Sequence, residues 1–241
     1  MIPRPCGGVN EDLLAYGEPL VAIWSEDPNG VGVDANPIAT WPNAGSLGGD
    51  FVAGGGGQVL YDQFSHVRPA FRENGNGWLE ITTAAQSLPG TLVAVAAIGM
   101  EATVSGVVAA YVDAALAGGV GALFGNWGTV VNGELLSSTY AGSLGTGGGH
   151  SVFQPANAIT SFEGRGVVGA NDQYRINDGG LFDSGTPIPG GETADTFSIY
   201  NIPPGIATLK GAAIFFAAWY ATPTAPDGLM DAIRAHYGIV P

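Results

Sequence analysis

The chain has 241 residues, of which 40 are glycine and only 12% are charged. Its formal net charge of −14 would repel the phosphate groups of a nucleic acid, so we expect no nucleic-acid partner. The N-terminus lacks the basic and apolar regions of a secretory signal, and no apolar run approaches the roughly 20 residues that span a bilayer. These features predict synthesis in the cytoplasm and no membrane insertion.

Short strand-like segments recur through the first part of the chain, with turn residues between them. They are segments 19–24, 38–41, 50–53 and 58–64, each followed closely by Gly, Asn, Asp or Pro. In the segment WLEIT, residues 78–82, Trp78, Glu80 and Thr82 alternate with Leu79 and Ile81, which predicts a strand with one buried face. The pattern indicates an antiparallel, mainly β structure.

Further strands are predicted in the second part of the chain. The segments TLVAVAAIG, 91–99, and GALFGNW, 121–127, read as strands buried on both faces. Residues 174–182 read as a hairpin that turns at Asn177-Asp178-Gly179-Gly180. For residues 106–119, a strand that continues into a short helix fits the sequence, but periodicity alone does not decide it. Two last strands are expected in TFSIYNI, 196–202, and GAAIFFAAWY, 211–220.

One helix is predicted near the C-terminus. Leu229, Ile233 and Tyr237 recur every four residues and therefore share one apolar face. We expect Thr224 to cap the N-terminus of this helix and Gly238 to end it with a positive φ.

The order of these segments resembles the concanavalin A-like lectin/glucanase family, also called laminin-G-like, in the form found in bacteriophage minor tail and other virion proteins. The resemblance rests on LVAIWSEDP, IATWPNAGSLGGDF, VRPAFREN, GWLEIT, TLVAVAAI, GALFGNWG, VVGANDQYRINDGGLFDSGT and the closing segment from residue 209. It implies an all-β fold, a two-sheet antiparallel jelly-roll sandwich, with a short C-terminal helix against a sheet edge or end. We expect residues 18–241 to form this domain and residues 1–17, which have no counterpart in the family, to form an N-terminal arm.

Catalysis is not expected from the carboxylates of the chain. Hydrolytic members of the family use closely spaced carboxylates on one strand, because one acid protonates the leaving oxygen while another attacks or stabilises the sugar cation. Glu192 and Asp195 are three residues apart, which on a strand sends their side chains to opposite faces. Glu73 and Glu80 stand alone. The sequence therefore predicts a protein that is not an enzyme.

Two loop aromatics are the candidate glycan-binding residues. Trp127 and Tyr140 could stack on sugar faces, with nearby Asn and Asp side chains to bind hydroxyl groups. Burial in the core or in an interface is the alternative for Trp127. The other four tryptophans lie in strand-like segments and are assigned to the core: Trp24, Trp41, Trp78 and Trp219.

The loop DPNGVGVDAN offers the only cation site that we consider. Asp27, Asn29, Asp34 and Asn36 carry the hard oxygen ligands that Ca²⁺ takes, and lectin-like sandwiches often bind Ca²⁺ at an edge loop. The same residue types also build ordinary turns, so a turn without an ion is the alternative. No other cofactor is expected.

Two functions follow from the resemblance. The first is a non-enzymatic virion structural protein, a bacteriophage minor tail or capsid decoration protein located in the virion. It would dock on other virion proteins, and on copies of itself, through its arm and loop faces. The alternative is a carbohydrate-binding module that attaches the particle to a glycan on the host surface.

Overall fold

The fold was analysed in a computed structural model. It describes residues 13, 15–26, 32–63, 68–87, 90–98, 106–112, 120–126, 134–143, 151–155, 158–165, 171–187, 193–201 and 211–239. The strands in chain order are β1 (Val21–Trp24), β2 (Thr40–Pro42), β3 (Asp50–Gly55), β4 (Gln58–Asp62), β5 (Ala70–Asn74), β6 (Gly77–Ser87), β7 (Thr91–Ile98), β8 (Gly106–Val112), β9 (Val120–Asn126), β10 (Glu134–Ser143), β11 (Ser151–Pro155), β12 (Ile159–Arg165), β13 (Asn171–Ile176), β14 (Phe182–Pro187), β15 (Thr193–Ile199) and β16 (Ala212–Tyr220). One helix, α1 (Leu229–Tyr237), follows them.

The strands form two antiparallel sheets of eight strands each. Sheet A has the order β14-β13-β12-β7-β16-β5-β4, and β1 also pairs with β16. Sheet B has the order β11-β10-β9-β8-β15-β6-β3-β2. The all-β, two-sheet antiparallel sandwich predicted from the sequence is therefore confirmed, as is the single short helix near its C-terminus. No helix within the described ranges is both long and apolar enough to cross a bilayer.

The main core lies between the sheets, as expected when two half-apolar faces close on each other. Tyr111 of β8 and Trp219 of β16 meet across it with ring centroids 5.1 Å apart. Tyr200, just after β15 of sheet B, links the two sheets by hydrogen bonds. Its hydroxyl donates to the carbonyls of Phe71 (2.5 Å) and Ala212 (3.0 Å) in sheet A. Burial, with small opposing contributions from hydrogen bonds, raises the pKa of the Tyr200 hydroxyl far above its usual range, so it stays protonated and donates.

A second core lies on the opposite face of sheet A, under helix α1. Leu229, Ile233 and Tyr237 are buried on one side of the helix, as their spacing predicts. They pack on outward-facing residues of β7 and β16: Val93, Val95, Ala97, Ala213, Phe215, Phe216 and Ala218. The resemblance implied a helix at a sheet edge or end, and this is corrected: the helix lies over the central strands, whose apolar outer face needs a cover.

Strand β16 carries a bulge that favours this second core. All nine residues of the strand are buried. The register shifts between Ile214 and Phe216, and the adjacent Phe215 and Phe216 both belong to the outer cluster instead of alternating. The bulge thus places one extra aromatic ring beneath α1, and Phe216 stacks on Trp24 with ring centroids 5.2 Å apart.

The ends of α1 agree only in part with the prediction. Thr224 does not cap the helix, since the residue before Leu229 is Gly228, with φ 79° and no side-chain cap. The reason lies upstream: the Ala225 N–H donates to Glu163 (3.2 Å), which holds this segment on β12 before the helix begins. The C-terminus is as predicted, because Gly238 adopts φ 66°.

The structure tests some of the other local predictions, and the rest fall on residues that it does not describe. The hairpin of β13 and β14 is confirmed, and Asn177 takes a left-handed φ of 51° in its turn. Residues 106–112 form strand β8, and the rest of that undecided segment, 113–119, lies outside the described residues. Most of the predicted arm is likewise outside them, but Leu13 is buried in the cluster under α1. The boundary between arm and domain stays a prediction.

Candidate functional site

The outer face of sheet B is exposed where β2, β3 and β6 pair. Thr40 lies opposite Val52, and Val52 opposite Glu80, so the three side chains form a row across the strands. On β6 this face carries Trp78, Glu80 and Thr82, whereas Leu79 and Ile81 point into the core. The alternation seen in WLEIT therefore separates the core from a mixed polar and apolar surface.

A shallow depression of about 530 Å³ lies on this face, which we call the sheet B depression. Its lining comprises Leu47, Gly48, Gly49, Asp50, Val52, Glu80, Ile81, Thr82, Thr83 and Ala84. Leu47 and Val52 are two of the five large hydrophobic residues that are exposed in the described part of the chain, at 37% and 53%. Exposed aliphatic groups beside carboxylates and hydroxyls are the mixture found in small-molecule sites.

Trp78 stands beside the depression and is held in place by its neighbours. Its indole ring lies across Gly54 and Gly55 of β3, where a Cβ atom on Gly54 would come within 2.4 Å of the indole nitrogen. The indole N–H donates to Glu80 Oε2 at 2.9 Å. The two glycines therefore let the ring lie on the strand, and the hydrogen bond orients the Glu80 carboxylate, whose other oxygen is left for a ligand.

The charge of the depression is negative. Asp50 and Glu80 line it, and its lining contains no basic side chain. An ionised carboxylate accepts hydrogen bonds and donates none. The depression therefore suits ligands with donors such as hydroxyl groups, and it repels anions. The exposed Thr82 hydroxyl can both donate and accept, which complements a ligand that carries several hydroxyl groups.

The depression touches the main core through Thr83. The Thr83 Oγ1 lies 3.0 Å from the Tyr111 hydroxyl and donates to the Asp195 carbonyl at 3.2 Å. Burial is the main cause that raises the Tyr111 pKa, so this hydroxyl remains protonated in neutral solution. One end of the depression thus rests on a side chain fixed by the core.

The part of this sheet face that β15 forms is buried. Thr196 and Ser198 of β15 lie opposite Thr82 and Glu80, yet they are 3% and 0% exposed. Ser198 Oγ donates to the carbonyl of Asn201 at 2.6 Å, as the chain turns back after the strand. Among the strands of sheet B whose side chains the structure describes, the accessible surface therefore lies on the β2, β3 and β6 side.

The two glycan-binding residues predicted from the sequence are not tested by the structure. Trp127 lies outside the described residues, and Tyr140 is located only by the backbone of β10, where it pairs with Leu123. Of the four tryptophans assigned to the core, Trp24, Trp41 and Trp219 are buried, as predicted. Trp78 differs, because it is half-buried at the margin of the core and beside the depression.

The predicted calcium loop is described in part. Asp27 and Asn29 lie outside the described residues. Asp34 Oδ1 accepts the N–H of Gln63 at 2.9 Å, and the Asn36 carbonyl accepts the N–H of Tyr61 at 3.2 Å. Within the described ranges, no group of three or more His, Cys, Asp or Glu side chains could hold a metal ion. These contacts of Asp34 and Asn36 hold the loop against the end of β4, and a Ca²⁺ site here stays a prediction.

Comparison with known proteins gives structural similarity without sequence similarity. No protein-family model matches the sequence, and no curated protein matches it significantly. Among solved structures, Trypanosoma rangeli sialidase in complex with the inhibitor DANA is 12% identical, with a TM-score of 0.56, over 90% of this chain and 32% of the sialidase. The botulinum neurotoxin serotype D binding domain is 8% identical, with a TM-score of 0.56, over 94% of this chain and 52% of that domain.

A third similar structure matches over nearly its whole length. It is domain 4 of AbnA, a GH43 extracellular arabinanase from Geobacillus stearothermophilus, in complex with arabinotriose. It is 14% identical, with a TM-score of 0.53, over 83% of this chain and 99% of that domain. This chain spans about a third of the sialidase and about half of the neurotoxin domain. At these identities the similarity shows a shared β-sandwich fold.

Proposed function

We propose that this protein is a carbohydrate-binding domain whose site is the sheet B depression. The observation that carries the proposal is the depression itself, where the exposed Leu47 and Val52 lie beside Asp50 and Glu80. A sugar ring has an apolar C–H face and a rim of hydroxyl groups. The aliphatic side chains suit the first and the carboxylates suit the second.

The charge of the depression selects the class of sugar. With Asp50 and Glu80 in its lining, the depression would repel an acidic sugar. We therefore propose neutral saccharides as ligands. A volume of about 530 Å³ is in the range of small-ligand pockets. The solved structure of domain 4 of the arabinanase contains arabinotriose, a neutral sugar, which supports this choice by analogy of fold.

A non-catalytic role is part of the proposal. The sialidase and the arabinanase in the comparison are enzymes by name, but the match covers 32% of the first and a single domain of the second. Glu80 is engaged by the Trp78 indole, an arrangement that orients a hydrogen-bond acceptor. Binding without hydrolysis is the function that this geometry supports best.

A glycan array followed by calorimetry tests the proposal. The array hits should include neutral glycans, and Glu80→Gln should weaken the binding of these neutral glycans roughly ten- to a hundredfold, because a charge-assisted hydrogen bond is lost. Glu18→Gln, at an exposed carboxylate outside the depression, is the matched control and should bind normally. An array with no neutral hit, or equal affinity in both variants, would refute the proposal.

The virion role predicted from the sequence is a separate proposal. Docking on other virion proteins and on copies of itself, through residues 1–17 and the loop faces, is compatible with sugar binding on sheet B. If the role is correct, deleting residues 1–17 should abolish incorporation into particles. Full incorporation of the truncated chain would contradict it.

A further inference from the structure

A second pocket lies on the other side of the molecule, beside the N-terminus of α1. It has a volume of about 120 Å³, room for roughly four water molecules. Arg165, Arg175 and Arg234 line it, and these are three of only seven basic residues in the chain. The other charged residues of its lining are Glu163, Asp227 and Asp231. In so acidic a protein, this gathering of guanidinium groups requires an explanation.

Glu163 fixes two of the arginines. It is fully buried, and it lies directly opposite Arg175 on the paired strands β12 and β13. Its Oε1 accepts from Arg165 Nε at 2.7 Å, and its Oε2 accepts from Arg175 Nη2 at 2.6 Å and Nε at 3.1 Å. Burial acts to raise the Glu163 pKa, but hydrogen bonds and charges from the two arginines outweigh it, and the pKa falls below its usual value. The carboxylate therefore remains ionised and holds both guanidinium groups.

The buried carboxylate leaves part of each guanidinium available. An arginine has five N–H donors. Arg165 uses one of them and Arg175 uses two on Glu163, and neither has another acceptor in the described part of the chain. Two positive groups around one negative group leave a positive balance at the base of the pocket. Arg234 adds less, since it already bonds to the Asn177 carbonyl at 2.8 Å and to Asp231.

The rim of the pocket limits the charge of a ligand. Asp231 is 81% exposed and Asp227 is exposed, so both place negative charge at the entrance. The three arginines and the three carboxylates of the lining balance in charge, so a doubly charged phosphate gains no electrostatic advantage over a singly charged group. Paired guanidinium groups also match the two oxygens of a carboxylate. The site therefore suits a small monoanion.

We propose that this pocket binds a ligand carboxylate through Arg165 and Arg175, with Glu163 as the residue that positions them. The site is independent of the sheet B depression, and either can fail without the other. The ligand class is a small carboxylate, free or carried on an acidic sugar.

Thermal unfolding of the intact protein with acetate, glucuronate, phosphate or chloride at matched ionic strength tests the proposal. A ligand that binds only the folded state raises Tm by roughly 3–5 °C at ten times its Kd. Acetate and glucuronate should both raise Tm above the chloride value, and glucuronate should raise it further if the sugar ring is also recognised. No rise with either carboxylate, or a larger rise with phosphate, would overturn the proposal.

Two variants locate the effect. Arg165→Gln should abolish the carboxylate-dependent rise, whereas Arg72→Gln, at a surface arginine paired with Asp62 on another strand, should keep it. Asp227→Asn removes rim repulsion and should tighten carboxylate binding roughly two- to fivefold. If the carboxylate raised Tm without occupying this pocket, Asp227→Asn would leave the carboxylate dependence of Tm unchanged, and that result would contradict the proposal even if Arg165→Gln did not fold.

Discussion

The two sheets of the sandwich differ in what covers their outer faces. The central strands β7 and β16 of sheet A are buried twice, by sheet B on one side and by α1 with Leu13 on the other, and β16 has no exposed residue. In sheet B, strands β3 and β6 bury their inner face, but the outer face of β2, β3 and β6 is open and carries Val52 at 53% exposure. The outer faces of the two sheets therefore differ in how much they contribute to packing and to the accessible surface.

This difference indicates where substitutions are tolerated and where they act on function. Buried residues of sheet A contribute packing energy on both faces, so truncating them should lower stability. Residues on the open side of sheet B contribute little packing, so truncating them should change binding and leave stability almost unchanged. The following variants test that contrast, from the largest expected effect to the smallest.

Phe216→Ala should have the largest effect. The ring is fully buried under α1 and stacks on Trp24, so its removal should lower the free energy of unfolding by about 3–5 kcal/mol. Val52→Ala on sheet B is the comparison and should cost less than about 0.5 kcal/mol. Denaturant titrations of both variants measure the two values. Similar losses would show that the outer faces of the sheets are not different.

Glu163→Gln should have the next largest effect. It should lower the free energy of unfolding by about 2–4 kcal/mol at neutral pH, because two arginines lose their ionised partner. The effect depends on pH. Since the Glu163 pKa is lowered in the folded state, the unfolded state binds more protons, and wild-type stability falls as pH drops from the ordinary glutamate value through the folded pKa. The variant should lose less stability than wild type over that acid range. Parallel pH profiles would contradict the ion-pair assignment.

Tyr200→Phe should cost about 1–2 kcal/mol, because the carbonyls of Phe71 and Ala212 would lose a buried donor. This hydroxyl ties the end of β15 in sheet B to sheet A. Chemical denaturation measures the change, and Tyr16→Phe, at a ring that is 42% exposed, is the control and should be neutral. A neutral Tyr200→Phe would mean that this tie does not hold the sheets together.

Glu80→Gln should have the smallest effect on stability, below about 0.5 kcal/mol, because the glutamine can still accept the Trp78 N–H. Its unfolding midpoint should equal that of wild type while its glycan affinity falls. A large loss of stability would make Glu80 a structural residue and would weaken its assignment as a ligand acceptor.

The sequence predicted elements whose signals are local. The spacing of Leu229, Ile233 and Tyr237 indicated α1, and the turn at Asn177 indicated the β13–β14 hairpin. Thr224 was a wrong cap because Glu163, far away in the chain, binds the neighbouring backbone. A distant contact of this kind leaves no local pattern.

The candidate sites were harder to predict for the same reason. The alternation in WLEIT did place Trp78 and Glu80 on one face, but the glycines of β3 that let the ring lie there come from a different strand. Likewise, strand register brings Arg175 opposite Glu163. Only Arg165, two residues after Glu163, offered a signal within one strand.

The central claim is that the open side of sheet B binds neutral carbohydrate, and the Trp78 indole N–H reports on it directly through its bond to Glu80. Its NMR signal should be followed while a neutral oligosaccharide, chosen from the array hits, is titrated into the intact protein. We predict that this signal shifts together with the amide signals of Asp50 and Val52, and that the Leu13 and Ile233 signals stay unchanged. Saturable binding that leaves the Trp78, Asp50 and Val52 signals unmoved would contradict the account.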